Sequence, residues 1–296
     1  MAAPQIVSAT RQALGAVGVW TNAVQVEPAA VQREVVARIE TLGYGSVWQG
    51  EVVGTNDVFA QEAVWLAATS RIVAGTGIAN IWARHPGTAQ AAAATLADAW
   101  PGRFVLGLGV SHAPAVERSG QQYSHPLQRM RHYLFNMGGR PEHLPIVLAA
   151  LRPKMLQLAA DRTDGVHTYF VPPEHTAKAR QVLGPDRLLI PEQAVVVETS
   201  PQVAREVARK HTAKYLQLPN YVNNLRLLGL DDDDLAGTGS DRLVDAIVAW
   251  GTPSDIAERI RAHHNAGGDH VLVHPLGDSP GDVVRQLEEL APALLP

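Results

Sequence analysis

The chain has 296 residues, a formal charge of -4, 46% hydrophobic and 18% charged residues, and no cysteine. This excludes disulfides and thiolate chemistry, leaves no basic footprint for nucleic acid or an anionic membrane, and suits one large α/β domain or two ordinary ones. The opening MAAPQIVSATRQALG has no basic stretch followed by an apolar run, and no apolar run reaches the ~20 residues of a membrane helix, so a cytoplasmic location is expected.

Taken in order, Leu14 to Trp20 reads as a first strand and Pro28 to Leu42 as a helix, with one apolar face (Val31, Val35, Val36, Ile39, Leu42), proline at its start and Gly43 at its end. Ser46 to Trp48 gives a second strand ending in Gln49-Gly50-Glu51, and Asn56 and Asp57 cap a helix through Thr69. Ile72 to Ile78, Thr88 to Trp100 and Phe104 to Leu108 form a strand–helix–strand unit, the building block of parallel sheets. Both of its strands close on Gly-x-Gly (Gly75–Gly77, Gly107–Gly109), as for a flat ligand lying on the strand ends or as ordinary loop glycines.

The stretch from Val110 to Pro126 reads as irregular. A helix from Pro126 to Met137, a strand at Pro145 to Ala150, and a short helix from Pro153 to Asp161 follow. Next come a strand at Gly165 to Val171, a helix from Glu174 to Leu183, and a seventh strand at Leu188 to Glu198, where Pro191 predicts a bulge or an edge. Ser200-Pro201 opens another helix. Leu216 to Gly239 breaks the alternation, and its four aspartates at 231–234 read as a solvated loop or helix start. Arg242 to Trp250 reads as a helix, Thr252 to Asp255 as a capping box for a helix to Ala266, Asp269 to His274 as the eighth strand, and Val283 to Leu294 as the last helix.

Eight strands alternating with helices predict a (β/α)8 barrel as one domain over 1–296, with an insertion near 216–240 between the seventh and eighth strands; a doubly wound sheet is the alternative, without its G-x-G-x-x-G or P-loop signature. In a barrel the strand C-termini surround the site. That gathers Trp20, Glu51, Ile78 to Asn80, Gly109 to His112, Ala150, Gln193 and His274 around one opening. Glu51 is a candidate for proton transfer or for a hydrogen bond to a cofactor, against the plainer role of capping its loop. Ser111 and His112 are catalytic by location or a polar loop pair. Trp20, Trp82 and Gln193 are candidates for a substrate pocket. The 12 histidines show no H-x-H or H-E-x-x-H, so no metal site is expected, and His263-His264 suits a helix C-terminus. There is no G-x-S-x-G for a serine hydrolase.

The segments GYGSVWQGE, VAGTGIANIWARHP, GRFVLGLGVSHAP, LAALRPKMLQLAADRTDGVHTY, LLIPEQAVVVET and LPNYVNNLRLLG, in this order, resemble the luciferase-like flavin and deazaflavin oxidoreductases, and within them the coenzyme F420-dependent branch. The resemblance covers most of the chain. It implies a non-prolyl cis peptide at Gly77–Ile78, with Gly77, Ile78, Ala79 and Asn80 backing the deazaflavin ring. Glu51 and the Gly109, Ser111 and His112 loop would contact that ring, and Leu151, Arg152, Lys154 and Met155 would hold the phosphate at a helix N-terminus. Arg152 replaces a glycine of many relatives, and His112 stands where some place a catalytic glutamate. The implied reaction is hydride transfer between the deazaflavin and a small organic substrate, with Glu51 or His112 as proton donor, in a homodimer. FMN-dependent monooxygenation is the alternative, and a ligand-binding barrel without turnover is a further one.

Overall fold

The computed structural model describes residues 4–295, so the 1–296 span expected for the domain runs past it at both ends. Among the described residues there are ten strands: β1 (Val17–Trp20), β2 (Ser46–Gln49), β3 (Val73–Thr76), β4 (Ala79–Asn80), β5 (Phe104–Gly109), β6 (Ile146–Ala149), β7 (Gly165–Thr168), β8 (Leu188–Val197), β9 (Val248–Gly251) and β10 (Val271–Pro275). All pair in parallel, and β10 bonds to both β1 and β8, so the ring closes; β4 and β9 lie off it, leaving eight barrel strands. The (β/α)8 barrel expected from the alternation is the observed fold. Its strands are short and buried on both faces, which is why they read as apolar runs without alternation.

Two layers of core result. Trp48, Val73, Val105, Val147, Leu188, Ile190 and Leu272 fill the barrel interior, and the Pro4–Leu14 helix adds Ile6, Val7 and Leu14 below them. The indole of Trp48 dictates Gly75, its partner across the β2–β3 register, because a Cβ there would lie 2.4 Å from the ring. The outer helices cover the strands with the larger cluster built on Val36, Ile39, Trp65, Leu106 and Leu287. Their starts follow the sequence signals: Asp57 accepts from two N–H groups of its helix, and Thr252 and Asp255 form a reciprocal capping box.

Four local expectations are corrected. The Arg242–Trp250 helix stops at Ile247, and Val248–Gly251 is β9, drawn out because β8 runs on past the barrel and offers Ala194 to Val197 as an open edge. Pro191 marks neither an edge nor a bulge: it sits in a central strand, one residue before the Glu192–Leu272 pairing begins, with Gly268 packed against its ring. Within the stretch read as irregular, Ala113–Arg118 is helical. Leu14, read as the start of the first strand, ends a helix, Pro4–Leu14, and the strand begins at Val17. The predicted insertion is present as two short helices, Pro219–Leu227 and Asp232–Leu235, the second opened by a capping box from Asp231 to Asp234. With the Pro201–Tyr215 and Asp241–Ile247 helices they enclose a third core around Phe170, Tyr221, Leu225 and Leu243.

Candidate active site

A cavity of about 930 Å³ opens where the barrel strands end. One wall is backbone: Gly50, Gly77, Ile78 and Gly109 face it, and the Gly77–Ile78 peptide is cis. The glycines meet protein as well as open space. A Cβ at Gly109 would lie 2.3 Å from Ile78, and one at Gly77 would lie 2.8 Å from Trp20 Nε1, which donates to the Gly77 carbonyl at 3.3 Å. Thr76 Oγ1 fixes the same corner by donating to the Gly107 carbonyl at 2.6 Å and accepting its N–H at 2.8 Å.

Behind this wall Glu51 forms a bidentate ion pair with Arg84 and accepts the Asn80 N–H at 2.7 Å. Arg84 also reaches Asp57 at 2.8 Å. The pair ties β4 to the end of β2. Glu51 therefore meets the cavity with both carboxylate oxygens already engaged, the position of a group that fixes backbone. Next to Gly77, His167 donates Nδ1–H to the Ile190 carbonyl at 2.9 Å, while its buried Nε2 has no partner. Burial depresses its pKa, so this nitrogen carries a free lone pair.

At the rim, Leu151, Arg152, Lys154 and Met155 all face the cavity from the start of the Pro153–Arg162 helix, whose N-terminus has no side-chain cap. Ser111, in the left-handed region at φ 54, and His112 lie on the other side, with His112 5.3 Å from the ring of Tyr221. Burial lowers the His112 pKa and keeps it neutral. Trp20 also faces the cavity.

Of the expected site residues, two stand behind the wall without lining the cavity, and Trp82 and Gln193 lie elsewhere. Ala79 and Asn80 are buried behind the wall, since strand pairing with Leu108 and Gly109 turns them into the barrel layer. Trp82 lines a separate groove of about 520 Å³, with Arg129 3.8 Å above its ring. Gln193 is fully buried between helix and strand, donating to the Ala194 and Ile247 carbonyls and bonding His263 at 3.0 Å. It belongs to the packing of β8.

The sequence reading missed the aromatic floor. Tyr169 and Tyr215 face the cavity with their hydroxyls 2.7 Å apart, and Tyr221 joins them. Beneath lie Glu192, His211 and His274, which bring ligand-type atoms within 4.8 Å of one another. His274 bonds one Glu192 oxygen at 2.8 Å, and the Phe170 N–H bonds the other at 3.1 Å. Burial raises Glu192 to about 7 and lowers both His211 and His274 to about 3. These residues come from β8, a helix and β10, so no local spacing such as H-x-H could reveal them.

The family model described as luciferase-like monooxygenase matches residues 11–137 and 133–270. The chain belongs to this family. Among luciferase-like relatives, the 5,10-methylenetetrahydromethanopterin reductase of Archaeoglobus fulgidus is 25% identical over 309 residues, covering 86% of this chain and 93% of that protein. A putative coenzyme F420-dependent oxidoreductase of Mycobacterium tuberculosis is 37% identical over 109 residues, covering 36% of this chain and 31% of its own. The fold matches an F420-dependent secondary alcohol dehydrogenase in complex with an F420-acetone adduct, with TM-score 0.75 and 15% identity over 95% of this chain and 99% of that one. It also matches the FMN-bound oxygenating constituent of 3,6-diketocamphane monooxygenase from Pseudomonas putida, with TM-score 0.71 and 16% identity over 95% and 99%.

Proposed function

We propose that this protein is a coenzyme F420-dependent oxidoreductase acting on a small organic substrate. The observation that carries the reading is the fit of the cavity to a flat ring with an anionic tail. The backbone wall of Gly77, Ile78 and Gly109 offers a surface without projecting polar side chains, and the orphaned Nε2 of His167 beside it suits an N–H donor at the edge of a deazaflavin ring. Arg152, Lys154 and the uncapped helix N-terminus suit a phosphate. Leu151 and Met155 would flank that tail. When bound, the deazaflavin would supply two-electron hydride chemistry.

The chain's own residues do the rest. Glu51 and Arg84 hold the wall, Trp20 locks the Gly77 carbonyl, and Tyr221 and Leu227 from the inserted helix cover the mouth against water. His112 and Ser111 border the open side. The choice of F420 over FMN rests on the F420-dependent relatives, and FMN-binding family members give the competing expectation.

The test is a titration of the purified protein with F420 and with FMN, read by calorimetry. Tighter binding of F420 is the expected result. Preference for FMN would move the reading to a flavin monooxygenase, and binding of neither would overturn it.

A further inference from the structure

The side of the cavity facing away from the helix N-terminus is uncharged. Among the described residues lining the cavity, the charged side chains are Glu51, Arg152 and Lys154. Glu51 is neutralised by Arg84, and the two cations sit where a phosphate would be held. The remaining surface is Trp20, Tyr169, Tyr215, Leu218, Tyr221 and Leu227, with neutral amides and His112 at its edge. An anionic substrate would find no free cation there, and its desolvation would go uncompensated.

Within this surface, beside the single hydroxyl of Tyr221, stands a hydrogen-bonded pair of phenols. The Tyr169 and Tyr215 hydroxyls share a hydrogen bond of 2.7 Å, so one of the pair's two protons lies between the oxygens and the other is free to donate elsewhere. Tyr169 is hemmed in by Trp20 at 4.9 Å, Tyr215 at 5.2 Å and the rings of His167, His211, Tyr221 and His274. Tyr215, at the end of the Pro201–Tyr215 helix, is the member next to the inserted segment that covers the mouth. Trp20 links the pair to the wall, touching Tyr169 on one side and the Gly77 carbonyl on the other.

Resting on the cofactor reading above, we propose that Tyr215, backed by Tyr169, is the catalytic proton donor and that the substrate is an uncharged, largely apolar carbonyl compound. The carbonyl carbon gains a hydride, with its electron pair, from the dihydrodeazaflavin, and the carbonyl oxygen takes the Tyr215 proton, leaving an alcohol and the oxidised deazaflavin. The tyrosinate accepts the Tyr169 O–H and regains its proton from water. Burial raises both phenol pKa values, which holds the proton on Tyr215 until a more basic alkoxide forms, and the Tyr169 hydrogen bond favours the ionised state of Tyr215. In the reverse direction the same pair accepts the alcohol proton.

The test uses the fluorescent naphthyl ketone 6-propionyl-2-(dimethylamino)naphthalene, whose emission moves to longer wavelength when its carbonyl accepts a hydrogen bond. It is titrated into the protein with and without F420. The expected result is saturable binding at red-shifted emission. Tyr215→Phe should shift the bound emission to the blue and weaken binding about 5–10-fold, the worth of one hydrogen bond. Tyr169→Phe, which keeps Tyr215, should shift it less in the same direction. Uncharged 2-acetylnaphthalene should displace the probe, and glucose 6-phosphate should not. Unchanged emission in both variants, displacement by glucose 6-phosphate, or no ketone binding would overturn the proposal. Because the ketone is also read without cofactor, its failure is distinct from a failure of F420 to bind.

Discussion

Replacing Arg84 by Met removes one half of the ion pair behind the cavity wall. The Glu51 side chain is 5% exposed and that of Arg84 13%, so the pair is nearly dry. Without the guanidinium, Glu51 would stay buried close to Glu62, a carboxyl with no hydrogen-bond partner, whose pKa burial and the Glu51 charge push well up. Stranding one member of a buried pair costs about 3–5 kcal/mol, while the lost contact to Asp57 at the surface adds about 0.5 kcal/mol. Glu51→Gln is milder, about 1–2 kcal/mol, because its amide oxygen still accepts the Asn80 N–H and Arg84 keeps Asp57 at 2.8 Å. The double variant should therefore cost less than the sum by about 2 kcal/mol. Urea unfolding of the four proteins at pH 7, followed by circular dichroism, measures the cycle. An Arg84→Met loss below about 1 kcal/mol, or strict additivity, would refute the claim that this pair fixes the wall.

Gly109→Ala would place a methyl 2.3 Å from Ile78 Cγ1 and force that side chain out of the wall. Stability should fall by about 1–3 kcal/mol and F420 binding about tenfold or more, read by thermal unfolding and calorimetry; unchanged affinity would show that Ile78 does not shape the ring surface. Acid should unfold the protein through its buried histidines. His270 Nδ1–H donates to the Gly15 carbonyl and Nε2 accepts from Ser46, and burial depresses its pKa to about 4; burial brings His263 to about 3. The unfolded chain takes these protons first, near 6.5, so the stabilisation is complete above that pH and is lost as pH falls toward 4, by about 2 kcal/mol per histidine at pH 5. A Tm that stays level from pH 7 to pH 5 would contradict this.

The barrel was legible because each of its strands is a short apolar run set between capped helices, a pattern that survives without knowledge of contacts. Asp57 and Thr252 act where the sequence placed them, since a cap is decided by its own neighbours. β9 was not legible: Val248 to Gly251 continues the helical pattern of Asp241 to Ile247, and only the overhang of β8 makes it a strand. The site divided in the same way. Gly77, Gly109, His112 and Arg152 could be placed on strand ends and loops by order alone. Glu51 looked like a free acid because its partner, Arg84, lies 33 residues along the chain. Gln193 and Trp82 sit at the right height on the barrel but point into packing, an orientation that strand position does not specify. The Tyr169–Tyr215 pair joins residues 46 apart, one just after β7 and one at the end of a helix, so no local spacing announces that their hydroxyls meet.

The length of β8 separates two tasks within one cavity. It pairs with β7 over Leu188 to Pro191 and with β10 over Glu192 to Val195, and where β7 has ended its Ala194 to Val197 take up β9, beside the third core on which Tyr221, Leu225 and Leu243 pack. The backbone wall and the helix N-terminus are thus held by the barrel, while Tyr221, Leu218 and Tyr215 of the opposite wall pack on the third core, the two sharing a strand. Sequence can drift around the third core, exchanging Leu218, Leu227 or the segment 228–240, without moving the Glu51–Arg84 clamp. A lineage built this way can change what it acts on while keeping the reagent it acts with.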